Sequence, residues 1–249
     1  MVTPNGGPRL PPAVLWDMDG TIVDTEPYWI AEETALAEEH GGTWSHEQGL
    51  TLVGLALDVS AGILVDRLGL AMTPAEVTER LIAGVVSRVL SRPPWRPGAR
   101  ELLADLAAAG VPMALVTMSY VPLADAVVSQ LPAGTFTAVV TGDAVVHGKP
   151  HPEPYLTGAA RVGVAPGRCV AVEDSPPGLA SAEAAGCRSL GVQGHVAVPA
   201  APGRSRVRSL TDVDPGVLAA IAAGAVVDTL GTAGAEPSAA ASAGSAPAA

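Results

Sequence analysis

Two aspartates stand two residues apart directly behind a short apolar run, in the segment LWDMDGTIVD. Asp17 ends a predicted buried strand that begins at Ala13, and Asp19 precedes Gly20, a residue that favours a turn. Paired carboxylates can act as a nucleophile and a general acid or base, or they can bind a hard cation. An isolated Asp-x-Asp is also compatible with an ordinary turn, so this pair needs partners elsewhere in the chain to indicate a reaction.

Four other polar residues follow predicted strands: Thr117, Lys149, Glu173 and Asp174. The apolar runs that precede them are bounded by Gly and Pro, as expected for the strands of a parallel sheet. In open parallel sheets, ligands bind beyond the carboxyl ends of the strands. We therefore expect these four residues to meet Asp17 and Asp19 at one edge of the sheet.

Several carboxylates in one cleft would repel one another and could not all stay ionised without a cation. Mg²⁺ prefers oxygen ligands, binds one or two carboxylates together with substrate phosphate oxygens, and needs no soft ligand. The metal and Lys149 would also supply the local positive charge that a phosphate group needs in an acidic protein. This set of residues therefore predicts a magnesium site that binds a phosphate ester.

The order of the predicted elements indicates an α/β fold. Between about residues 95 and 220, strand-like runs alternate with amphipathic helical stretches, which is typical of a doubly wound, Rossmann-like parallel sheet with helices on both faces. Residues 25–94 are predicted to be helical and form an insertion. We predict a core formed by residues 1–24 and 95–225, and a disordered tail, rich in Ala, Gly, Ser and Pro, over residues 226–249.

Four segments resemble, in order, the four motifs of the haloacid dehalogenase superfamily: DMDGT at 17–21, Thr117, GKPHPEPY at 148–155 and VEDSPPG at 172–178. The likeness is greatest to the β-phosphoglucomutase-like phosphatase branch, and it covers roughly residues 13–192. Four ordered motifs at predicted strand ends are far more specific than one Asp-x-Asp. The resemblance implies a Mg²⁺-dependent phosphatase of a small phosphorylated metabolite, with the helical insertion as a cap that closes over the cleft.

The resemblance also implies a role for each aspartate of the first motif. Asp17 would attack the substrate phosphorus and form an aspartyl phosphate, which divides one difficult hydrolysis into two easier steps. Asp19 would protonate the leaving oxygen and later act as the base that activates water.

Further residues are implied to bind the phosphoryl group and the metal. The implied phosphoryl ligands are Thr117, Met118 through its backbone N–H, and Lys149. The implied magnesium ligands are Asp17, Asp19 through its backbone carbonyl, Asp174 and Glu173. Met118 departs from the family pattern, which often has Asn or another small polar residue there, and a thioether cannot donate a hydrogen bond.

Three alternatives are weighed against the phosphatase. A phosphomutase of the β-phosphoglucomutase type would carry a His in the first cap helix, and residues 27–39 contain none. A dehalogenase would lack the second aspartate of the first motif, whereas Asp19 is present. A non-catalytic protein that binds a phosphometabolite is suggested only by Met118.

Some charged residues near the motifs have no assigned role in the reaction. Glu26 could either reach the cleft or complement the dipole of a helix N-terminus, and the sequence leaves both open. His147 and His151 are expected to be solvated loop residues. A group of glutamates is expected to form a solvated helix face: Glu32, Glu33, Glu38 and Glu39.

The formal net charge of −11 indicates which partners to expect. Such a field repels nucleic acids and anionic lipid surfaces, so neither is expected to bind. The longest apolar run, around residues 217–227, is too short to cross a bilayer, and the first 13 residues lack the features of a secretory signal. We expect a cytoplasmic monomer whose partner is a small phosphate ester.

Overall fold

The structure, a computed structural model, describes residues 10–53 and 55–231. In this part of the chain the strands are β1 (Ala13–Trp16), β2 (Met113–Val116), β3 (Ala138–Val140), β4 (Cys169–Glu173), β5 (Arg188–Val192) and β6 (Ser205–Val207). The helices are α1 (Glu26–Glu39), α2 (His46–Leu50), α3 (Leu57–Leu68), α4 (Pro74–Ser91), α5 (Ala99–Ala108), α6 (Val121–Val128), α7 (Glu153–Val162), α8 (Pro176–Ala184) and α9 (Pro215–Ala222).

The strands form one parallel sheet in the order β3-β2-β1-β4-β5-β6. The chain first builds outward from β1 through β2 to β3, and then returns to the other side of β1 with β4. The loops after β1 and β4 therefore diverge at the point where the strand order reverses, which is where open α/β sheets bind ligands. The predicted fold class, a doubly wound Rossmann-like sheet, is confirmed.

Strand β1 is buried on both faces, as expected for the central strand of such a sheet. Val14 and Trp16 contribute to the hydrophobic cluster on one face, which also contains Leu103 of α5. Ala13 and Leu15 contribute to the cluster on the opposite face, which contains residues of α7 and α8. The alternation of side chains along a strand explains why a short apolar run serves both faces.

Helices α1 to α4 lie between β1 and β2 in the chain. Helices α1, α3 and α4 share a third hydrophobic cluster, which includes Leu36, Trp44 and Leu64. The two chain segments that connect this helical region to the sheet lie side by side. The N–H of Asp24 donates to the carbonyl of Pro94 at 2.8 Å, and Val23 forms an antiparallel bridge with Trp95. The division of the chain into core and cap domains stays a prediction.

Helix α8 begins with a capping serine followed by a proline. Ser175 accepts a hydrogen bond from the N–H of Gly178 at 3.2 Å, and Pro176 begins the helix. A side-chain oxygen at the N-cap satisfies an N–H group that has no partner within the helix, and proline at the next position loses no helical hydrogen bond.

Strand β6 was not predicted. It has three residues, and its centre is Arg206, which is 6% exposed. Arg206 is tolerated there because its guanidinium donates to Asp228 at 2.7 Å. The backbone of Arg206 also pairs with Val227 and Thr229. Residues 226–231 therefore lie along β6 rather than in the predicted tail, and residues 232–249 of that tail lie outside the described residues.

None of the helices in residues 10–53 and 55–231 combines the length and the apolar character needed to cross a bilayer.

Candidate active site

The turn after β1 brings the first motif to the sheet edge. The N–H of Asp17 donates to Val172 at 3.0 Å, which extends the pairing of β1 with β4 by one residue. Gly20 adopts a φ of 85°, and a Cβ at this position would lie 2.1 Å from Oδ2 of Asp174. Glycine is therefore required here both by the left-handed backbone and by the close approach of the Asp174 carboxylate.

Lys149 occupies the centre of the site, and its side chain is 6% exposed. Its Nζ donates to Oδ1 of Asp17 at 2.7 Å, to Oε1 of Glu173 at 2.6 Å and to the carbonyl of Val116 at 2.9 Å. Burial by itself would lower the pKa of Lys149, but the charges of Asp17 and Glu173 outweigh burial and raise it. The ammonium group is therefore held in its charged form.

Glu173 is fully buried behind Lys149 and does not line the cavity described below. Its Oε1 accepts hydrogen bonds from Lys149 and from the hydroxyl of Tyr155 at 2.8 Å. Its Oε2 accepts from the hydroxyl of Ser175 at 3.0 Å. Both oxygens are thus bound by donors of the protein, an arrangement that positions Lys149. The metal-ligand role of Glu173 stays a prediction.

Asp19 is held by three hydroxyl groups. Its Oδ1 accepts from Thr25 at 2.5 Å, and its Oδ2 accepts from Ser119 at 2.7 Å and from Thr117 at 3.3 Å. Sequence reasoning missed Thr25 and Ser119. Thr25 stands at the N-cap of α1, yet its side chain makes no capping bond to that helix. Ser119 stands two residues after Thr117, a spacing that places both side chains on one side of extended backbone.

Three carboxylates meet around one point. Oxygen atoms of Asp17, Glu173 and Asp174 lie within 4.8 Å of one another. Burial, followed by the charge of Glu173, raises the pKa of Asp17, and burial with the charge of Asp17 raises that of Asp174. Oδ2 of Asp17 is buried and has no hydrogen-bond partner in the described part of the chain. A hard divalent cation fits this arrangement, because it would pair the unsatisfied oxygen and keep both carboxylates ionised.

Met118 has a place in the site despite its unusual side chain. Its sulfur accepts a hydrogen bond from the backbone N–H of Lys149 at 3.1 Å, which joins the loop after β2 to the loop that carries the lysine. Within residues 10–53 and 55–231, its own N–H has no hydrogen-bond acceptor. That N–H remains available for a ligand.

A cavity of about 500 Å³ lies between the strand ends and the helices α1 to α4. Its volume is in the range of small-molecule sites. Six of the seven predicted site residues line it: Asp17, Asp19, Thr117, Met118, Lys149 and Asp174. The structure thus brings together residues from four separate segments.

The model of the haloacid dehalogenase-like hydrolase family matches residues 11–186 of the chain. The chain belongs to this family. Among similar proteins, hexitol phosphatase B of Escherichia coli (strain K12) is 33% identical over 186 residues, which cover 74% of this chain and 84% of that protein. A phosphoglycolate phosphatase of Shigella boydii serotype 4 (strain Sb227) is 32% identical over 201 residues, which cover 72% and 80%.

A solved structure of CbbY from Rhodobacter sphaeroides in complex with phosphate superposes with a TM-score of 0.70 at 25% identity. The match covers 82% of this chain and 96% of that one. These matches confirm the resemblance to the superfamily and the predicted enzyme class, a phosphoric monoester hydrolase.

In this haloacid dehalogenase-like hydrolase, the prediction that four glutamates of α1 form a solvated face is partly wrong. Glu32 is 6% exposed and is bound by Arg80 at 2.8 Å and by Arg88 at 2.6 Å. Glu33 is 5% exposed and accepts a hydrogen bond from Nε1 of Trp44 at 2.9 Å. Only Glu38 and Glu39 of the four are exposed. Helix periodicity alone predicts that Glu32 and Glu33 are exposed, but tertiary packing buries both side chains.

One face of α1 turns toward the cavity of the hydrolase. Glu26, Trp29 and Glu33 all line it, and their spacing of three and four residues is that of one helix face. This spacing is the signal that could have identified Glu33. Of the two interpretations of Glu26, the one that places it in the cleft agrees with the structure, and burial raises its pKa to about 7.

The two histidines beside Lys149 are exposed, as predicted. Nδ1 of His147 contacts Oε2 of Glu153 at 2.9 Å, and Nδ1 of His151 accepts from the N–H of Glu153 at 3.2 Å.

Proposed function

We propose that this hydrolase is a Mg²⁺-dependent phosphatase that cleaves a small phosphorylated metabolite through an aspartyl-phosphate intermediate. The observation that carries the proposal is that Asp17 and Asp19 share one cavity with Lys149 and Asp174. This combination offers a nucleophile, a proton carrier and a fixed positive charge within reach of one phosphoryl group.

In the first step, a carboxylate oxygen of Asp17 attacks the substrate phosphorus while the bond between phosphorus and the ester oxygen breaks. Asp19 donates its proton to the leaving oxygen, so the product leaves as a neutral alcohol. The hydroxyls of Thr25 and Ser119 hold the Asp19 carboxyl group in place for this transfer.

In the second step, water attacks the phosphorus of the aspartyl phosphate. Asp19 accepts a proton from the water, and the bond between phosphorus and the Asp17 oxygen breaks. Inorganic phosphate leaves, Asp17 is again a carboxylate, and Asp19 is again protonated.

Thr117, Lys149 and the N–H of Met118 would bind the phosphoryl oxygens. Because the hydrogens of the Lys149 ammonium group are already donated to Asp17, Glu173 and Val116, its contribution is its charge at a fixed position. The N–H of Met118 needs no help from its side chain, which is committed to the backbone of Lys149.

Asp17 and Asp174, with the backbone carbonyl of Asp19, would hold the metal. When bound, Mg²⁺ would supply positive charge that offsets these carboxylates and the phosphoryl oxygens. Glu173 would act as a positioning residue that holds Lys149, since both of its oxygens already accept hydrogen bonds.

The names of the relatives support a small phosphate ester as the substrate, since they describe a hexitol phosphatase and a phosphoglycolate phosphatase. The cytoplasmic location and the monomeric state stay predictions of the sequence.

The direct test is phosphate release from p-nitrophenyl phosphate. We expect turnover with Mg²⁺, loss on chelation, and a decrease on the order of 10⁴-fold in Asp17→Asn. The matched control is Asp105→Asn, because Asp105 is exposed on α5, and it should retain full activity. Acid quenching during turnover should trap a hydroxylamine-sensitive phosphoryl group on the wild type. Equal release by Asp17→Asn would overturn the assignment of the nucleophile.

A phosphomutase is distinguished by its product. With a sugar monophosphate and the matching bisphosphate, we expect phosphate release to exceed isomer formation. The absence of a His from α1, which spans Glu26–Glu39, agrees with this expectation.

A further inference from the structure

The cavity continues from the reacting residues to the helices that cover them. Its far wall is formed in part by Trp29 and Glu33 of α1, Ser60 of α3, and Thr78 and Leu81 of α4. This wall would surround the part of the substrate that leaves with the ester oxygen, and its chemistry therefore indicates what that leaving group is.

The ionisable side chains along the cavity are almost all acidic. Lys149 is the only Lys or Arg among the described residues that line it, and its charge faces Asp17 and Glu173. Away from the reacting carboxylates the cavity presents Asp24, Glu26 and Glu33. His195 also lines it, but its Nε2 contacts Oδ1 of Asp24 at 2.7 Å, so a positive charge on this ring would be matched by its neighbour.

A substrate with a second anionic group would meet these carboxylates without a cation. An anion placed beside acidic groups in a poorly solvated site is unfavourable, so a carboxylate or a second phosphate on the leaving group would be rejected. An uncharged leaving group avoids this penalty.

Glu33 is the polar group best prepared to bind such a leaving group. It is 5% exposed, and within residues 10–53 and 55–231 its only hydrogen-bond donor is Nε1 of Trp44, which contacts Oε2 at 2.9 Å. Its other oxygen, Oε1, is not fully enclosed by protein atoms. The residue lines the cavity. One oxygen is therefore fixed by Trp44, while the other can accept a hydrogen bond from a ligand.

The surroundings of Glu33 suit a polyhydroxylated chain. Burial raises the pKa of Glu33 to about 7, so its carboxylate gains from any hydroxyl that donates to it. Ser60 and Thr78 add hydroxyl groups, while Trp29 and Leu81 offer apolar surface to the carbon-bound hydrogens of a sugar.

We infer that the leaving group is an uncharged, polyhydroxylated chain of the alditol or aldose type, and that Glu33 determines specificity by accepting hydrogen bonds from its hydroxyls. This inference rests on the phosphatase proposed above. The inference favours a substrate of the hexitol phosphate type over phosphoglycolate, because a hexitol is neutral whereas glycolate carries a carboxylate.

The first experiment compares two substrates of the wild-type enzyme with Mg²⁺. We expect kcat/KM for glucitol 6-phosphate to exceed that for phosphoglycolate by at least about 100-fold. Equal or better use of phosphoglycolate would overturn the inference. Fructose 1,6-bisphosphate should be a poor substrate for the same reason, and efficient cleavage of it would count equally against the inference.

The second experiment tests Glu33 itself. Glu33→Gln keeps the shape of the side chain and should lower kcat/KM for glucitol 6-phosphate about tenfold or more. It should change kcat/KM for p-nitrophenyl phosphate by less than about twofold, because that ester offers no hydroxyl to Glu33. Glu38→Gln, on the exposed side of the same helix, is the matched control and should change neither value. An equal loss on both esters, or no loss on either, would assign Glu33 a merely structural role.

Trp44→Phe removes the donor that orients Glu33 and provides a second variant if Glu33→Gln fails to fold. It should shift the ratio of the two kcat/KM values in the same direction, and an unchanged ratio would contradict the inference.

The aryl ester separates the two levels of the proposal. Hydrolysis of p-nitrophenyl phosphate without a preference for glucitol 6-phosphate over phosphoglycolate would contradict only the inference about the leaving group. Failure to hydrolyse any of these esters would contradict the proposed function. Thermal stabilisation of Asp17→Asn by glucitol 6-phosphate and not by phosphoglycolate would support the inference without turnover, and the reverse order would refute it.

Discussion

The ammonium nitrogen of Lys149 lies 2.7 Å from Oδ1 of Asp17, although the two residues are 132 positions apart in the chain. Lys149 is also the only lysine in the sequence. The one lysine of a strongly acidic chain is thus buried against the proposed nucleophile. Burial and the charge of Glu173 raise the pKa of Asp17, and the charge of Lys149 opposes that rise.

Replacement of Lys149 by Met should therefore affect both activity and stability. Without the ammonium group, Asp17 and Glu173 face each other as buried, unpaired carboxylates, which costs about 3–5 kcal/mol of unfolding free energy. Phosphate release should fall at least about 100-fold. Urea unfolding at neutral pH and steady-state kinetics measure the two effects. Arg168→Met, which removes an exposed cation, is the control. Retention of wild-type activity by Lys149→Met would contradict the role of the lysine.

The burial of Lys149 also predicts its chemical reactivity. An amine-directed acylating reagent should leave Lys149 of the native protein unmodified, because its protons are held by three acceptors. The unfolded protein should be modified at Lys149. Mass spectrometry of the peptide that contains Lys149 measures the difference, and rapid acylation of Lys149 in the native state would show that the three contacts do not persist.

Asp19→Asn should affect esters according to their leaving group. A proton donor matters most when the departing oxygen is strongly basic, as in an alkyl phosphate, and least for p-nitrophenyl phosphate. We expect the rate of formation of the aspartyl phosphate to fall by about 100-fold or more for an alkyl ester, with a smaller decrease for the aryl ester. Rapid-quench kinetics of the first turnover measure this step. Equal decreases for both esters would indicate that Asp19 does not protonate the leaving oxygen.

Metal binding can be followed without turnover. Mg²⁺ should raise the thermal unfolding midpoint of the wild type, because a ligand that binds only the folded state stabilises it. Asp174→Asn should lose this shift. Glu173→Gln should keep it and lose activity instead, because both oxygens of Glu173 already accept hydrogen bonds from the protein. Loss of the shift in Glu173→Gln would show that Glu173 is a metal ligand after all.

The buried carboxyl group of Glu33 predicts how stability varies with pH. Burial is the main reason that its pKa rises from 4.5 to about 7, the charge of Glu26 adds to this rise, and the hydrogen bond from Trp44 opposes it. Between these two values the folded state binds more protons than the unfolded state, so stability falls as the pH rises. From pH 5 to pH 8, the wild type should lose roughly 1–3 kcal/mol relative to Glu33→Gln. Urea titrations at both pH values measure the difference, and parallel curves for the two proteins would contradict it.

The strands and helices that carry the chemistry could be predicted because their signals are local. The apolar run of β4 and the Ser-Pro start of α8 are each complete within a few residues, so a short stretch of sequence is enough to identify them. The motif residues likewise indicate the enzyme class, because their order along the chain resembles that of a known family and their side chains leave few chemical roles open.

The positions of buried charges could not be predicted, because each depends on a partner that is distant in the chain. Arg206 can form the centre of β6 only because Asp228 pairs with it, and Glu33 can be buried only because Trp44 donates to it. When the partners are not known, the sequence around Arg206 and Glu33 predicts that both side chains are exposed to solvent. Glu173 shows the same limit, because only the folded structure reveals that its oxygens accept hydrogen bonds from Lys149, Tyr155 and Ser175.

The sequence by itself determined the fold class, the edge of the sheet where the motif residues converge, and the enzyme class, because strand periodicity and motifs are properties of short segments. The tertiary structure decided which side chains face the cavity. It also decided which side chains hold the cavity-lining residues in position. The physical reason is that burying a charge is favourable only with a compensating partner, and the partner is chosen by the packing of the whole chain.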